Sequence, residues 1–317
     1  MSTHELTPSN AVQSLTERAQ DYAESSKAES TRRAYQADWH DFTAWAAWRK
    51  LPSLPADPST VALYLTALAE AGKRASTLQR RRAAIAFAHE LAGYEPPTRT
   101  ALVEEVMAGI RREIGVAQQG KAPALTPDIR AMVNHLPTDL RGVRDRALLL
   151  IGFAGAFRRS ELIALDIEDV EECDEGLRIT IRHSKTDQEG KGRLVGIPRG
   201  EHPETCPVRA YQSWLHASMI SHGPLFRGIS THGKVLGRLS DRGVARTVKR
   251  AAEAAGLDPE QYSGHSLRAG LATSAAIAGV LDRDIMAQTG HKRVETLYKY
   301  IRRGNLFRDN AAGKVGL

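Results

Sequence analysis

The chain has 317 residues, 42% of them hydrophobic, which is enough to form more than one core. Its net charge of +7 at pH 7 is compatible with a polyanionic partner. The absence of any run of about eighteen apolar residues argues against a membrane span. Cys173 and Cys206 lack the spacing of a zinc site or a disulfide scaffold. The first ten residues lack a secretory signal pattern, so a cytoplasmic location is expected.

The positive charge is concentrated in the second part of the chain. Residues 1–124 contain 15 Lys and Arg against 14 Asp and Glu, a net charge of +1. Residues 125–317 contain 29 against 23, a net charge of +6. If the partner is a polyanion, the second part is therefore expected to supply most of the attraction.

Helical periodicity dominates the first 114 residues. Prolines at 52, 55 and 58 interrupt this pattern, and glycines end two of its helices. We predict a first helix with an apolar stripe and later helices that begin near Thr60, Ser76 and Ala101; the stripe consists of Tyr35, Trp39, Phe42 and Ala46. Residues 115–124 have no periodicity and contain two glycines and a proline, which is typical of a linker between domains.

The region from residue 125 onward combines helices with a small sheet. Thr126 followed by Pro127 is typical of a helix start, and residues 148–157 are apolar enough for a buried helix. Alternation over residues 177–181 predicts a half-buried strand, with a partner strand over residues 194–197. A polar loop, residues 184–192, joins the two strands. From Ser240 to the end the chain is again helical.

The most informative residues are spread over this second region. Two guanidiniums, those of Arg158 and Arg268, could bracket the charged oxygens of a phosphodiester. Tyr300 is a candidate nucleophile, but its hydroxyl needs a base, and His265 lies one helical turn from Arg268. Lys185, in the loop between the strands, suits the role of proton donor to the leaving oxygen. These groups could cleave DNA without a metal or another cofactor.

In order along the chain, these residues resemble the pattern of the tyrosine site-specific recombinases of the phage integrase group, including its Cre-like and Xer-like members. That pattern is an arginine with an acidic residue three positions later, a hairpin lysine, His-x-x-Arg, a further histidine or tryptophan, and a tyrosine. The matching residues are Arg158, Glu161, Lys185, His265, Arg268, His291 and Tyr300. An isolated His-x-x-Arg arises by chance on many helices, whereas the ordered set is specific.

The resemblance implies a mostly α fold with a small antiparallel β-sheet, arranged as a two-domain C-shaped DNA clamp. Residues 1–114 would form a helical, SAM-like core-binding domain, residues 115–124 a linker, and residues 125–317 the catalytic domain. The tail after Tyr300 would dock into a neighbouring protomer. In this family Glu161 would orient active-site groups, and His291 would form a hydrogen bond to a phosphate oxygen.

The resemblance also implies a reaction. Tyr300 would form a 3′-phosphotyrosine intermediate, and strand exchange would pass through a Holliday junction without metal, ATP or another cofactor. The implied partners are double-stranded DNA with inverted-repeat half-sites and a homotetramer on two synapsed sites, in a bacterial or phage nucleoid setting without a membrane. The alternatives are a type IB topoisomerase or telomere resolvase, and a non-catalytic DNA-binding regulator with the same fold.

Several positions have rivals nearby in the sequence. Lys191 shares a loop with Lys185, and both remain candidates for the general acid. Tyr298 lies on nearly the opposite helical face from Tyr300, so only one of the two can reach the phosphate. Family spacing favours Arg158 over Arg159, which we interpret as a surface arginine.

Two basic helical faces are candidates for DNA contact. One lies on the helix near Ser76, which carries Arg80, Arg81 and Arg82 in succession. Of these, Arg80 is the main candidate and Arg81 is the second. The other lies on the helix after Ser240 and carries Arg242, Arg246, Lys249 and Arg250. By resemblance this second helix would enter the major groove, where an arginine near its amino end could read a guanine edge.

Overall fold

The computed structural model describes Arg18, residues 28–116, residues 120–182, Ser184 and residues 192–304, with the backbone alone at 299 and 301–304. The chain divides into two compact units, Met1–Gln119 and Gly120–Leu317. Helices predominate, and a small antiparallel sheet lies in the second unit, which confirms the predicted fold class. In the described ranges, none of the helices has the length and apolar character needed to cross a membrane.

The described part of the first unit is helical, with α1 paired with α3 and α2 paired with α4. Its helices are α1 (Glu29–Trp48), α2 (Pro58–Glu70), α3 (Ala75–Leu91) and α4 (Ala101–Ile114). Phe42 and Ala46 of the predicted stripe are completely buried, and Trp39 packs at the edge of the same core. The stripe therefore faces the core, as residues three or four positions apart on a helix should.

Two helix starts differ from the sequence predictions. Helix α2 begins at Pro58 and not at Thr60, because proline's fixed φ and missing N–H suit the first turn of a helix. Helix α3 begins at Ala75, close to the expected start, but Ser76 lies inside its first turn and does not cap it. Arg74 occupies the capping position there, without a side-chain cap.

The second unit contains eight further helices among its described residues: α5 (Thr126–Asn134), α6 (Leu140–Ala154), α7 (Arg159–Ala164), α8 (Pro207–Ser218), α9 (Asp241–Ala254), α10 (Gly264–Ile277), α11 (Asp282–Thr289) and α12 (Val294–Gly304). Its strands are β1 (Val170–Cys173), β2 (Gly176–Ile181), β3 (Arg193–Pro198), β4 (Arg227–Ile229) and β5 (Val235–Arg238). Short 3₁₀ turns occur in the two units at Pro97–Arg99, Ile167–Asp169, Pro203–Thr205 and Pro259–Gln261.

The larger sheet has the antiparallel order β1-β2-β3, and β4 pairs with β5 as a separate hairpin. Ile179 in β2 lies between Val170 of β1 and Val195 of β3. The predicted strands correspond to β2 and β3. Strand β1 was not predicted, because its two central residues are exposed glutamates and it lacks apolar alternation.

The core of the second unit forms around α6, against which α8 and α10 pack. The predicted buried helix starts earlier than expected, at Leu140, because Asp139 caps it by accepting a 2.8 Å hydrogen bond from the Gly142 N–H. Buried Trp214 of α8 donates its indole N–H to the Leu225 carbonyl at 2.8 Å. This core supports the ends of α6, α7 and α10, where the candidate site lies.

Candidate active site

Arg158 and Glu161 are joined by two hydrogen bonds at the start of α7. The Arg158 backbone N–H donates to Glu161 Oε2 at 3.0 Å, and its Nη1 donates to Oε1 at 2.5 Å. The Glu161 side chain is 1% exposed, so its charge depends on this partner. The carboxylate therefore fixes the backbone and the guanidinium of Arg158 together.

Arg268 approaches the same place from α10 and is almost completely buried. Its Nη1 donates to the Ala156 carbonyl at 2.8 Å, and its Nη2 has no hydrogen-bond partner among the described residues. Burial, and next the Arg158 guanidinium, lower the pKa of Arg268 to about 10, so it stays charged at pH 7. A buried cation with an unused donor is suited to receive an anion.

Ala156 aims its carbonyl at Arg268 through an unusual backbone conformation. Its φ is +48°, in the left-handed region that a residue with a Cβ rarely adopts, and its side chain is completely buried. Surrounding packing must hold this conformation, since it costs about 1–2 kcal/mol. The turn between α6 and α7 is thus shaped to connect Arg268 with the Arg158 segment.

Tyr300 meets His265 across the gap between α12 and α10. The Tyr300 hydroxyl lies 2.9 Å from Nε2 of His265, while the tyrosine ring packs against the small cluster formed by Ala272, Ala276, Ile285 and Leu297. Partial desolvation, and next the Arg268 guanidinium, lower the pKa of His265 below its ordinary value. A neutral imidazole at this distance can accept the phenolic proton.

His291 covers the other side of Tyr300, with the two rings stacked at 5.7 Å between centroids. It follows Gly290, which ends α11 with a left-handed φ of +66°. Nδ1 of His291 lies 2.8 Å from Oγ1 of Thr289. Burial, and next the Arg268 guanidinium, lower the pKa of His291 to about 4. The structure therefore brings Arg158, Glu161, Arg268, His265, His291 and Tyr300 together.

Sequence reasoning missed three residues at this site. Arg193 lies beside Glu161, and Gln288 accepts a hydrogen bond from it. Arg159, interpreted as a surface residue, forms a 3.1 Å ion pair with Asp241 at the start of α9. Its aliphatic chain also lies against Gly264, where an added Cβ would be 2.4 Å from the Arg159 Cγ. A side chain at position 264 would therefore displace Arg159.

The remaining site predictions have different outcomes. Lys185 and its rival Lys191 lie outside the described residues, as does the tail over residues 305–317. Tyr298 is 40% exposed, and the contact with His265 is made by Tyr300. Within the described ranges, no group of three or more His, Cys, Asp or Glu side chains could hold a metal ion.

The basic side chains expected to contact DNA differ in how strongly they are already paired. On α9, Arg242 and Arg246 are exposed, with no ion pair or hydrogen bond from either side chain to a described residue. Lys249, by contrast, forms an ion pair with Glu260 at 2.6 Å. Arg250 donates to Asp145 at 2.8 Å.

In the first unit, Arg80 and Arg81 of α3 are held by acidic residues of α1. Arg80 lies 3.1 Å from Asp38 and is about half exposed. Arg81 is largely buried and donates to Asp41 and to the Tyr64 hydroxyl. The geometry therefore gives Arg81 a structural role within this unit and leaves Arg80 the more accessible of the two.

The comparisons with known proteins agree with this geometry. Residues 125–305 match the phage integrase family, and residues 13–91 match the phage integrase N-terminal SAM-like domain. An integrase/recombinase XerD homologue from Selenomonas ruminantium is 41% identical over 297 residues, covering 92% of this chain and 87% of the relative. The chain therefore belongs to the phage integrase family. Within it, the protein is a tyrosine recombinase, an enzyme that acts on DNA.

Two further relatives illustrate the range of similarity. The recombinase Cre of Escherichia phage P1 is 28% identical over 284 residues, covering 82% of this chain and 80% of Cre. The structure of the XerH site-specific recombinase bound to palindromic difH substrate, a post-cleavage complex, aligns with a TM-score of 0.57 at 18% identity. That alignment covers 79% of this chain and 70% of XerH, and it supports the fold.

Proposed function

We propose that this tyrosine recombinase cuts and rejoins DNA at specific sites through a covalent link to Tyr300. The observation that carries the proposal is the 2.9 Å contact between the Tyr300 hydroxyl and His265 Nε2, beside the buried Arg268 and the partly buried Arg158. A nucleophile, a base and an anion-binding pair are then present in one place. Residues 1–114 would bind DNA, residues 115–124 would be a linker, and residues 125–317 would carry the chemistry.

The reaction would proceed by exchange of one phosphoester for another. The Tyr300 oxygen attacks the phosphorus as His265 accepts the phenolic proton, and the bond from phosphorus to the 5′-oxygen breaks. Lys185 or Lys191 would protonate that oxygen, which leaves a 3′-phosphotyrosine and a free 5′-hydroxyl. Because the ester bond is conserved, the step needs neither ATP nor an oxidant, and no metal ion enters this scheme.

The arginines would supply most of the electrostatic stabilisation. Arg158, held by Glu161, and Arg268, held by the Ala156 carbonyl, would donate to the non-bridging oxygens as their charge grows. Since both guanidiniums are fixed before DNA arrives, little reorganisation is needed during the reaction. His291 would complete the site by donating to a phosphate oxygen.

The assembly is proposed by analogy with the family. A 5′-hydroxyl from a partner duplex would reverse the first step, and two rounds through a Holliday junction would recombine the duplexes. This requires four protomers on two synapsed sites; the palindromic substrate of XerH supports inverted-repeat half-sites here as well. Residues 305–317 would dock into a neighbouring protomer. Such an enzyme would work in the cytoplasm, where bacterial or phage DNA lies.

The decisive experiment is covalent trapping on nicked suicide substrates made from DNA that flanks the gene. Wild-type protein should yield an adduct that survives SDS, and Tyr300→Phe should bind the same DNA without forming one. Tyr298→Phe is the matched control and should still form the adduct. An adduct with Tyr300→Phe would refute the assignment, and relaxation of supercoils without paired sites would indicate a topoisomerase instead.

A further inference from the structure

Arg193 begins β3 and turns inward instead of toward solvent. Its side chain is 20% exposed, and its Nη2 lies 3.6 Å from Glu161 Oε2. The same oxygen accepts the backbone N–H of Arg158. One buried carboxylate is therefore shared by two guanidiniums, which come from α7 on one side and the sheet on the other.

The other side of the Arg193 guanidinium faces the end of α11. Its Nη1 donates to the backbone carbonyl of Gln288 at 3.1 Å. The guanidinium also lies close to Gly290, where an added Cβ would be 3.0 Å from Nε and 3.2 Å from Cζ. His291 follows Gly290 directly. By contacting Gln288 and Gly290, Arg193 therefore holds the segment that leads into His291.

Gln288 strengthens the same attachment with its side chain. Its Nε2 donates to the Ala154 carbonyl at 2.7 Å and to the Gly196 carbonyl at 3.1 Å. The carboxyl end of α11 is thereby fastened to α6 and to β3 through Gln288, and to Glu161 through Arg193. The contacts of Arg193 and Gln288 given above join the end of α11 to Glu161, α6 and β3, so these two residues can act on the chemistry by fixing the residue that follows this helix end.

We propose that Arg193 is a positioning residue that holds the end of α11 against Glu161 and so fixes His291 beside Tyr300. The inference builds on the proposed function. Its support is that Nη2 of Arg193 reaches Glu161 only at an ion-pair distance of 3.6 Å, and that neither Nη2 nor the buried Nε has a hydrogen-bond acceptor among the described residues. Burying a cation without filling its donors is unfavourable, so the arginine is poorly explained by stability alone.

The first test uses the DNA-free protein, so it can fail or succeed independently of the proposed reaction. Amide hydrogen exchange is measured on whole wild-type protein, Arg193→Ala and Arg199→Ala. Arg199 is the matched control, because it follows the same strand, carries the same charge and pairs with Glu172 at 3.1 Å away from the site. Exchange over residues 288–291 should rise by about tenfold or more only in Arg193→Ala. Equal exchange in all three proteins would overturn the proposal.

The second test measures single-turnover cleavage of a suicide substrate that wild-type protein cleaves. Arg193→Ala should be slower by about 10–100-fold at saturating protein, with a Kd within about threefold of wild type. In a His291→Ala background the same substitution should add little, because both changes act through one residue. Rate losses that multiply would mean that Arg193 contacts the phosphate itself, which would overturn a positioning role.

A second variant keeps the proposal testable if Arg193→Ala fails to fold. Gln288→Ala leaves Arg193 and its carbonyl acceptor in place but removes the donations to Ala154 and Gly196. It should reproduce the faster exchange and the non-additive rate loss with His291→Ala. Wild-type exchange and cleavage in this variant would show that the end of α11 needs no such attachment, contrary to the proposal.

Discussion

The Thr289 hydroxyl determines which ring nitrogen of His291 carries the proton. Oγ1 of Thr289 donates to the Ile285 carbonyl at 2.7 Å, and it also lies 2.8 Å from Nδ1 of His291. A hydroxyl has one hydrogen, so Thr289 must accept the hydrogen on Nδ1. In the neutral ring Nε2 is then only an acceptor. It can donate to a phosphate oxygen only after it takes up a proton.

This arrangement predicts that DNA binding is linked to proton uptake at His291. A phosphate near Nε2 would raise the pKa of the ring from its value of about 4, so affinity should increase as the pH falls from about 7.5 to 6. Calorimetry in buffers of different ionisation enthalpy measures the protons taken up. His291→Trp, whose indole N–H donates at any pH, should lose this dependence; unchanged uptake would contradict the prediction.

The same pKa predicts a loss of stability in acid. The folded-state pKa of about 4 lies below the ordinary value of 6.5, so the unfolded chain binds more protons between these two values. The stability that the neutral His291 ring contributes is fully present above pH 6.5 and is lost as the pH falls toward 4. We expect a decrease of about 1–3 kcal/mol in the free energy of unfolding of the second unit. Urea titrations should find a flatter pH dependence in His291→Asn.

His265 should determine the acid side of the cleavage profile. Because its pKa is lowered, the ring is unprotonated at pH 7 and can accept the Tyr300 proton. His265→Gln should slow single-turnover cleavage by about 10²–10⁴-fold while DNA affinity is retained. The wild-type rate should decline as the pH falls through this lowered pKa, which lies below the ordinary value of 6.5, and the variant rate should not. His232→Gln, an exposed histidine elsewhere, is the control, and equal rates in the two variants would exclude His265 as the base.

Arg242 and Arg246 of α9, which have no partner among the residues that the structure describes, should contribute more to sequence recognition than the paired Lys249. Arg242→Ala is expected to cost about 1–3 kcal/mol at one base pair and to relax the preference there. Lys249→Ala removes the same charge from the same helix, but Lys249 is already paired with Glu260. Its effect on DNA affinity should therefore be smaller and the same for all DNA sequences. Binding to a library of randomised sites measures both; a uniform loss from Arg242→Ala would indicate a phosphate contact instead.

Helix α10 depends on a close backbone approach at Gly270. An added Cβ would be 1.9 Å from the Ala124 carbonyl oxygen, so Gly270→Ala must push α10 away from residues 122–124. We expect a loss of about 2–4 kcal/mol in the unfolding free energy of the second unit. Gly109→Ala, in α4 with nothing within 4 Å, is the control and should stabilise the first unit by up to about 1 kcal/mol. Similar effects of both changes on urea unfolding would contradict the argument.

Local patterns were sufficient for part of the site and not for the rest. His265 and Arg268 could be paired from sequence, because their spacing places them on one face of a helix. Arg193 could also have been found, since strand alternation puts it on the same face as buried Val195, whereas Leu194 is 65% exposed on the other face. It was overlooked because a strand-initial arginine ordinarily points to solvent.

The contacts made between distant segments were beyond sequence reasoning. The Asp41 carboxylate that engages Arg81 belongs to another helix, and no period within α3 indicates it. Gln288 acts partly through its backbone carbonyl, which every residue type possesses. The left-handed turn at Ala156 was also hidden, because alanine is a residue that normally avoids that conformation.

Near Glu161, the guanidiniums of Arg158 and Arg193 pair with a single carboxylate, and the buried guanidinium of Arg268 adds a third positive charge. Because one carboxylate cannot balance the charge of three guanidiniums, this cleft should bind small oxyanions when no DNA is present. Sulfate or phosphate in a buffer should occupy it, raise the melting temperature through ligand linkage and compete with the nucleic acid. Thermal stability and apparent Kd of this enzyme therefore have meaning only for a stated buffer anion, and chloride-based solutions are the proper reference for both.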